Sequence, residues 1–393
     1  MRFVVAALLI STAAQAQRLA SPAAPKAQRT AIATFVALSA QPGVAEPRAV
    51  APDYMAMTEL GCPAGEPCSV DVLDLRARSV FQIEVPREPM QRRFAPGESL
   101  APDGKLVSFD GNRAGFLFED RFGAEHTQSY AELDVHRAKL GRSVRIAKGN
   151  DETRVIGTHA GTVWFGVSVY DAPRRRDLGF RHDRQAHRFI IRTLDLATLR
   201  VRDVAGVELP GRDEQGPLDE EMFVQHSADY SHIALFEYWE TVAPLSPGGR
   251  GFVVDTNSGA AFSFDVPPVV YASAFSPDGR YLFCSSDETG ALLRVDLDGQ
   301  RVDSTVRGPK HTGNAAITAD GTSLLLFSSP AKTYVAFDLA TMTAQEQPLP
   351  SGLVAAFGII EPAAVSDDGG SMLVEDPSSM RRNDTQIWHL ITL

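Results

Sequence analysis

Two segments of this chain gather an excess of charge, opposite in sign. Between Asp171 and His187 lie Arg174, Arg175, Arg176, Arg181, His182 and Arg184. Clustered arginines offer planar bidentate donors, the chemistry that recognises a carboxylate, a phosphate or an acidic protein surface. The segment from Gly211 to Glu221 is its opposite, with Asp213, Glu214, Asp219, Glu220 and Glu221. The two also suit a solvated ion-pair patch between neighbouring loops, in which each exposed pair contributes about 0–1 kcal/mol. His159, His226 and His232, with Asp229 and Glu237, are the residues that would serve as metal ligands or acid–base groups if they converge. His226 and His232 are six residues apart across a turn and belong on different strands, which fits scattered structural histidines equally well. Glu237 and Trp239, in the run Glu237-Tyr238-Trp239-Glu240, suit the wall of an aromatic ligand pocket or ordinary strand packing.

Signatures of catalysis are missing. The chain has no G-x-S-x-G elbow, P-loop, G-x-G-x-x-G after a strand, C-x-x-C-H haem site or EF-hand loop. No metal or cofactor is therefore expected, and these motifs assign no catalytic residue, leaving open whether the chain is an enzyme. A net charge of −11 repels a phosphate backbone and excludes non-specific nucleic-acid binding. Arg2, the apolar run Phe3 to Ile10 and Ala14-Gln15-Ala16 have the layout of a secretory signal, residues 1–16, followed by a flexible stretch, 17–29. No later stretch approaches 18 apolar residues, so no transmembrane segment is expected after signal removal, and the destination is the periplasm or the exterior. An oxidising compartment favours a disulfide between Cys62 and Cys68 across their short loop, while Cys284 sits in an apolar run as a buried thiol.

What must position these residues is a repeat. A small or polar residue followed by Asp-Gly or a relative recurs at Ala51–Tyr54, Ala101–Gly104, Thr158–Gly161, Ser227–Tyr230, Ser276–Gly279, Thr318–Gly321 and Ser366–Gly369. Asp-Gly makes a tight turn because glycine accepts positive φ and aspartate hydrogen-bonds its own backbone. A second column is an apolar strand ending in Asp74, Asp134, Asp195, Asp255, Asp296 and Asp338, at steps of 60, 61, 60, 41 and 42 residues. Six identical residues at one structural position argue for a turn rather than six active sites. Each unit then reads strand A, tight turn, strand B, variable loop, strand C, short turn, strand D. That is the blade of a β-propeller, and seven units over residues 30–393 predict an all-β seven-bladed propeller.

The seventh unit has His389 where the others carry Asp, and no strand D follows it. An open outer edge invites pairing with other chains. The β-rich stretch Thr30 to Leu38 otherwise lacks a partner, so it is expected to supply that strand and close the ring.

Over the fifth and sixth units, Ala274-Phe275-Ser276-Pro277-Asp278-Gly279-Arg280-Tyr281-Leu282 and then Val295-Asp296-Leu297 resemble the YVTN- and TolB-type propeller repeats of bacterial periplasmic proteins. The resemblance implies a scaffold used for lactone chemistry, quinoprotein electron transfer, envelope assembly or binding, and a fold alone does not choose among these.

The topology sorts the loops. A–B and C–D turns share one face and are short. B–C loops and interblade links share the other, and hold the elaborated segments 62–68, 119–128, 171–187, 211–221, 239–250 and 376–384. Long loops on a rigid scaffold are where binding resides. The leading expectation is a binding or scaffolding module taking a protein or glycan partner on the loop-rich face. A lactonase-like hydrolase with a site at the channel mouth is the alternative, and a quinoprotein-type electron-transfer subunit a second.

Overall fold

The computed structural model describes residues 35–40, 47–62, 67–86, 103–120, 127–148, 151–170, 187–209, 220–239, 249–267, 270–286, 289–307, 312–318, 321–328, 333–348, 362–365, 371–375 and 386–392. Among these residues the chain is all β, in seven four-stranded antiparallel sheets. Strands A to D of blade one are Arg48–Ala51, Tyr54–Ala56, Cys68–Asp74 and Ser79–Val85, and those of blade two Asp103–Phe109, Arg113–Asp120, Thr127–Asp134 and Lys139–Lys148. Blade three has Glu152–His159, Thr162–Tyr170, His187–Asp195 and Arg200–Leu209; blade four has Glu220–His226, His232–Trp239, Gly249–Asp255 and Ala261–Val266. Blade five runs Val270–Phe275, Tyr281–Ser286, Ala291–Asp296 and Arg301–Arg307, and blade six Thr312–Ile317, Ser323–Ser328, Thr333–Asp338 and Thr343–Pro348. Blade seven takes Pro362–Val365, Ser371–Glu375 and Gln386–Thr392 from the end of the chain and Phe35–Ala40 from near its start.

The ring closes. Strand A of every blade lies against strand A of the next, and blade seven lies against blade one. The apolar clusters straddle blade boundaries: one joins blades one and two, others two and three, three and four, four and five, and five and six. Met55, Met57, Leu73, Leu373, Trp388 and Leu390 join blade one to blade seven. Strands B and C are buried on both sides by this sandwiching, as in blade five, where Leu282, Phe283, Leu292 and Val295 are all buried. Strand D of blade five, at the rim, alternates exposed and half-buried residues throughout.

The six aspartates end strand C in all six of blades one to six. In each, Asp Oδ1 accepts the backbone N–H three residues on: Ala77 2.8 Å, Arg137 3.0 Å, Thr198 2.7 Å, Ser258 3.2 Å, Gly299 3.3 Å and Thr341 2.8 Å. The residue after that donor adopts positive φ in every case, namely Arg78, Ala138, Leu199, Gly259, Gln300 and Met342. The column is a turn device, as its regularity implied.

Three details of the repeat differ from the sequence expectation. In blade two Asp103-Gly104 opens strand A, and the A–B turn is Asp110-Gly111, where Gly111 has φ 91°. Gly104 serves close packing instead, since a Cβ there would meet Phe118 and Leu60. In blade seven the position opposite the first residue of strand B is Thr392, paired with Ser371, so Thr392 and not His389 stands in the aspartate column. His389 is a buried mid-strand residue opposite Val374 and Ala37. The closing strand is Phe35–Ala40, antiparallel to Gln386–Thr392; residues 30–34 lie outside the described residues, as does the turn Ser366–Gly369.

Candidate functional site

The turn face is built from hydroxyl and carboxylate side chains that satisfy their own backbone. In blade five, Ser276 Oγ donates to Asp278 Oδ1 at 2.5 Å and accepts Tyr281 N–H at 2.9 Å, while Gly279 N–H returns to Ser276 O. Blade four repeats this with Ser227, Asp229 and His232, and blade six with Thr318 and Ser323. Ser231 Oγ donates to Asp229 at 2.7 Å and lies 3.0 Å from His232 Nδ1. A hydroxyl committed to a carboxylate has its proton spent there, so this Asp–Ser–His row is a turn network and not an activated nucleophile.

These hydrogen bonds hold several carboxyls below the usual aspartate range. Thr198 lowers Asp195, the Ser276 hydroxyl lowers Asp278, and Thr341 N–H lowers Asp338. At Asp229 and Asp255 partial burial pushes upward, but bonds from Ser231 and Ser258 outweigh it. Asp151 is raised, chiefly by burial. With a native pKa below the unfolded value of about 3.9, each lowered group contributes stability that is present above that value and lost as pH falls through its folded pKa. The expected outcome is a urea midpoint that declines progressively below about pH 4, with Asp151 opposing the trend. Asp338→Ala, which deletes the Thr341 bonds, should cost about 1 kcal/mol at neutral pH and flatten part of that decline.

Tyr230 departs from the turn pattern. It occupies the positive-φ slot that Gly279 and Gly321 fill in blades five and six, with φ 57°, and it is fully buried. A large side chain at positive φ is an outlier that its surroundings must enforce. His226 stacks on its ring at 4.0 Å between centroids, and His159 and Trp164 of blade three stack at 5.4 and 5.5 Å. His159 and His226 thus do come together, at the turn-face end of the inner strands, with Tyr230 between blades three and four. Glu237 does not join them, because it lies five residues beyond His232 along strand B, about 16 Å away. Sequence reasoning missed Tyr230; the one signal was an aromatic in a glycine column. Among the described residues no group of three or more His, Cys, Asp or Glu is placed to hold a metal. Two other buried groups are inert by burial: the Tyr130 phenol is pushed up to about 12, and the Cys284 thiol is also raised.

On the loop-rich face the Cys62–Cys68 disulfide is formed. Gly61 and Ser69 exchange backbone bonds of 2.9 and 2.7 Å beside it, and Leu60 N–H reaches Gly104 O of blade two at 3.1 Å. Glu59 pairs with Lys105 at 3.2 Å. The disulfide therefore pins a segment of blade one onto the inner strand of blade two. Replacing both cysteines by alanine should cost about 2 kcal/mol through unfolded-chain entropy and speed amide exchange over residues 57–62.

Glu237 and Trp239 sit at the loop-rich end of blade four strand B, opposite Met222 and Glu220. Glu220 and Glu221 belong to strand A and not to the preceding link, as His187 belongs to blade three strand C. Arg174, Arg175, Arg176, Arg181, His182 and Arg184 lie outside the described residues, as do Asp213, Glu214 and Asp219. Strand D of blade one ends at Val85 and that of blade six at Pro348, both on this face, and the residues that follow them were not singled out from the sequence.

These features define the class as a seven-bladed β-propeller with a self-satisfied turn face and a loop-rich face. No protein-family model matches the chain, and no curated protein does. Among solved structures, apo AztD from Citrobacter koseri is similar over 77% of this chain and 72% of its own, at 12% identity and a TM-score of 0.44. A second Citrobacter koseri AztD structure is similar over 76% and 69%, at 11% identity and a TM-score of 0.43.

Proposed function

We propose that this chain is a periplasmic or secreted binding propeller, of the kind that YVTN- and TolB-type repeats build, which holds a protein or glycan partner on its loop-rich face. The observation that carries this reading is the division of labour between the faces. The described C–D turns of blades one to six share one aspartate device, while the segments that vary in length join B to C or one blade to the next. A scaffold that standardises one face and diversifies the other has placed its specificity on the second. The signal-like residues 1–16 and the Cys62–Cys68 disulfide support an oxidising compartment. Among the described residues no helix is long and apolar enough to cross a membrane.

Anion recognition on that face is assigned to Arg174, Arg175, Arg176, Arg181, His182 and Arg184, with Glu237 and Trp239 as further candidate contacts. The test is capture from native envelope extract and on a glycan array, comparing the wild type with an Arg174→Ala, Arg175→Ala, Arg176→Ala variant. Loss of one shared partner in the variant supports the reading. Unchanged capture removes the arginine segment from the site, and absence of any retained partner removes the binding function.

A further inference from the structure

The layer between blades two and three is filled by an apolar cluster to which Ala147 and Val167 both belong. Directly opposite residues of an antiparallel pair share a face. Gln128 is opposite Ala147 in blade two, and Thr153 is opposite Val167 in blade three. The two side chains therefore enter this one layer from its two walls. Each is the second residue of its strand, counted from the loop-rich end. Gln128 Oε1 and Thr153 Oγ1 are buried and have no hydrogen-bond partner among the described residues. Buried polar atoms are nearly always bonded, so two bare oxygens in one layer ask for a physical cause.

The backbone from Ile146 to Lys148 gathers further polar groups there. Arg192 Nη1 donates to Ile146 O at 2.5 Å, and the Asp151 carboxyl accepts a bond from the Lys148 backbone. Asp151 is half-buried and stands two residues before Thr153. Burial raises its carboxyl against the pull of Arg192 and Lys148. The arginines of this layer are already committed. Arg192 forks onto Asp203 at 2.6 and 3.2 Å, and Arg188, opposite Val169, pairs with Glu208 at 3.5 Å. Lys148 is exposed and follows Ala147, so it points to the other face of its sheet. What remains is a set of acceptor oxygens on one desolvated carboxylate, one amide and one hydroxyl.

We propose that the loop-rich end of this layer binds a primary ammonium group, with Asp151 supplying the counter-charge and Gln128 and Thr153 the other two acceptors. An ammonium carries three N–H donors and one positive charge, which matches three acceptor groups of which one is a carboxylate. An anion would be repelled by Asp151 and by the amide oxygen. A neutral hydroxyl supplies donors but leaves the charge of the carboxylate uncompensated. A divalent metal asks for more carboxylates than are present, since among the described residues no group of three or more His, Cys, Asp or Glu is placed to hold one. A lysine side chain and an amino sugar both present the group. The site rests on the reading of the loop-rich face as the binding one, but it uses none of the arginine positions.

The test is titration calorimetry of the full mature chain with n-propylammonium, and with n-propanol as its uncharged counterpart. The ammonium should bind saturably and the alcohol should not. Asp151→Asn should weaken binding at least about tenfold, and Gln128→Leu and Thr153→Val about three- to tenfold each, the loss of a hydrogen bond to a charged group. Without ligand, Gln128→Leu and Thr153→Val should melt no lower than the wild type, because each removes a buried atom that lacks a partner. Lower melts in both, with no ammonium binding to the wild type, would show that a buried water joins the two oxygens and would overturn the proposal. So would equal binding of the alcohol, or ammonium binding that all three variants retain. Once n-propylammonium binds, the tighter of Nα-acetyl-lysine amide and glucosamine names the source of the group. Partner capture is measured separately, so a failure here leaves the binding reading of the face standing.

Discussion

Replacing Trp388 with alanine is expected to lower the unfolding free energy by about 3–5 kcal/mol, the range for deleting a large buried aromatic side chain. Trp388 is fully buried, pairs with Leu38 of the closing strand on one side and Glu375 on the other, and packs on Met55, Met57 and Leu73 of blade one. Its loss therefore weakens the contact that joins the last blade to the first. In an open array each terminal blade has one neighbour and frays, whereas closure gives every blade two. The loss at Trp388 should accordingly do more than shift a midpoint. Urea unfolding followed by far-ultraviolet ellipticity and by fluorescence should cease to coincide, and the apparent m-value should fall, as blade seven melts ahead of the rest. Phe337→Ala is the control, being equally buried but inside the boundary of blades five and six. It should cost a similar amount with its transitions still coincident. Trp388→Phe should be far milder, because the buried indole Nε1 has no hydrogen-bond partner among the described residues, and phenylalanine removes that orphaned donor while keeping most of the volume. Coincident transitions in Trp388→Ala would show that the closing strand is not what makes the ring cooperative.

What was legible in the sequence follows from how local each interaction is. The strand C aspartates were placed correctly because each carboxylate bonds a backbone N–H only three residues away, so the whole device is written in consecutive positions. The same locality explains the error in blade two. Asp103-Gly104 and Asp110-Gly111 carry the same turn signal seven residues apart, and only the approach of Phe118 and Leu60 to Gly104 tells them apart. In blade seven, the shift from His389 to Thr392 needed the pairing with Ser371, a long-range fact. Ring closure was still readable, since an unpaired β-rich stretch at one end and a missing strand at the other leave a single economical solution. The loop-rich face lacks any such code: what a variable loop binds depends on contacts between segments far apart in the chain. The His159–Tyr230–His226 stack has the same character, drawing on residues 159, 164, 226 and 230 of two blades.

That stack sets the second large effect. Gly157→Ala should destabilise the protein by about 1–3 kcal/mol, although it adds only one methyl group. The added Cβ would overlap the Tyr230 hydroxyl oxygen, with the ring carbon behind it 3.0 Å away. Gly157 follows an irregularity in the A–B pairing of blade three and lies opposite Trp164, which itself stacks on Tyr230, so neither neighbour has room to yield. Tyr230 cannot swing aside either, since its backbone is already held at φ 57° and His226 covers its ring at 4.0 Å. Because the clash is with one oxygen, Tyr230→Phe should relieve part of it. The double variant should then be more stable than the two single costs predict, by about 1 kcal/mol in a double-mutant cycle. Gly161→Ala offers the contrast: it has φ 74° and open space around its Cβ, so its cost is backbone strain alone, about 1–2 kcal/mol. That cost should add to Tyr230→Phe without coupling. If Gly157→Ala is likewise simply additive with Tyr230→Phe, the phenol is not what fills the space beside Gly157, and the glycine is required there for its backbone instead.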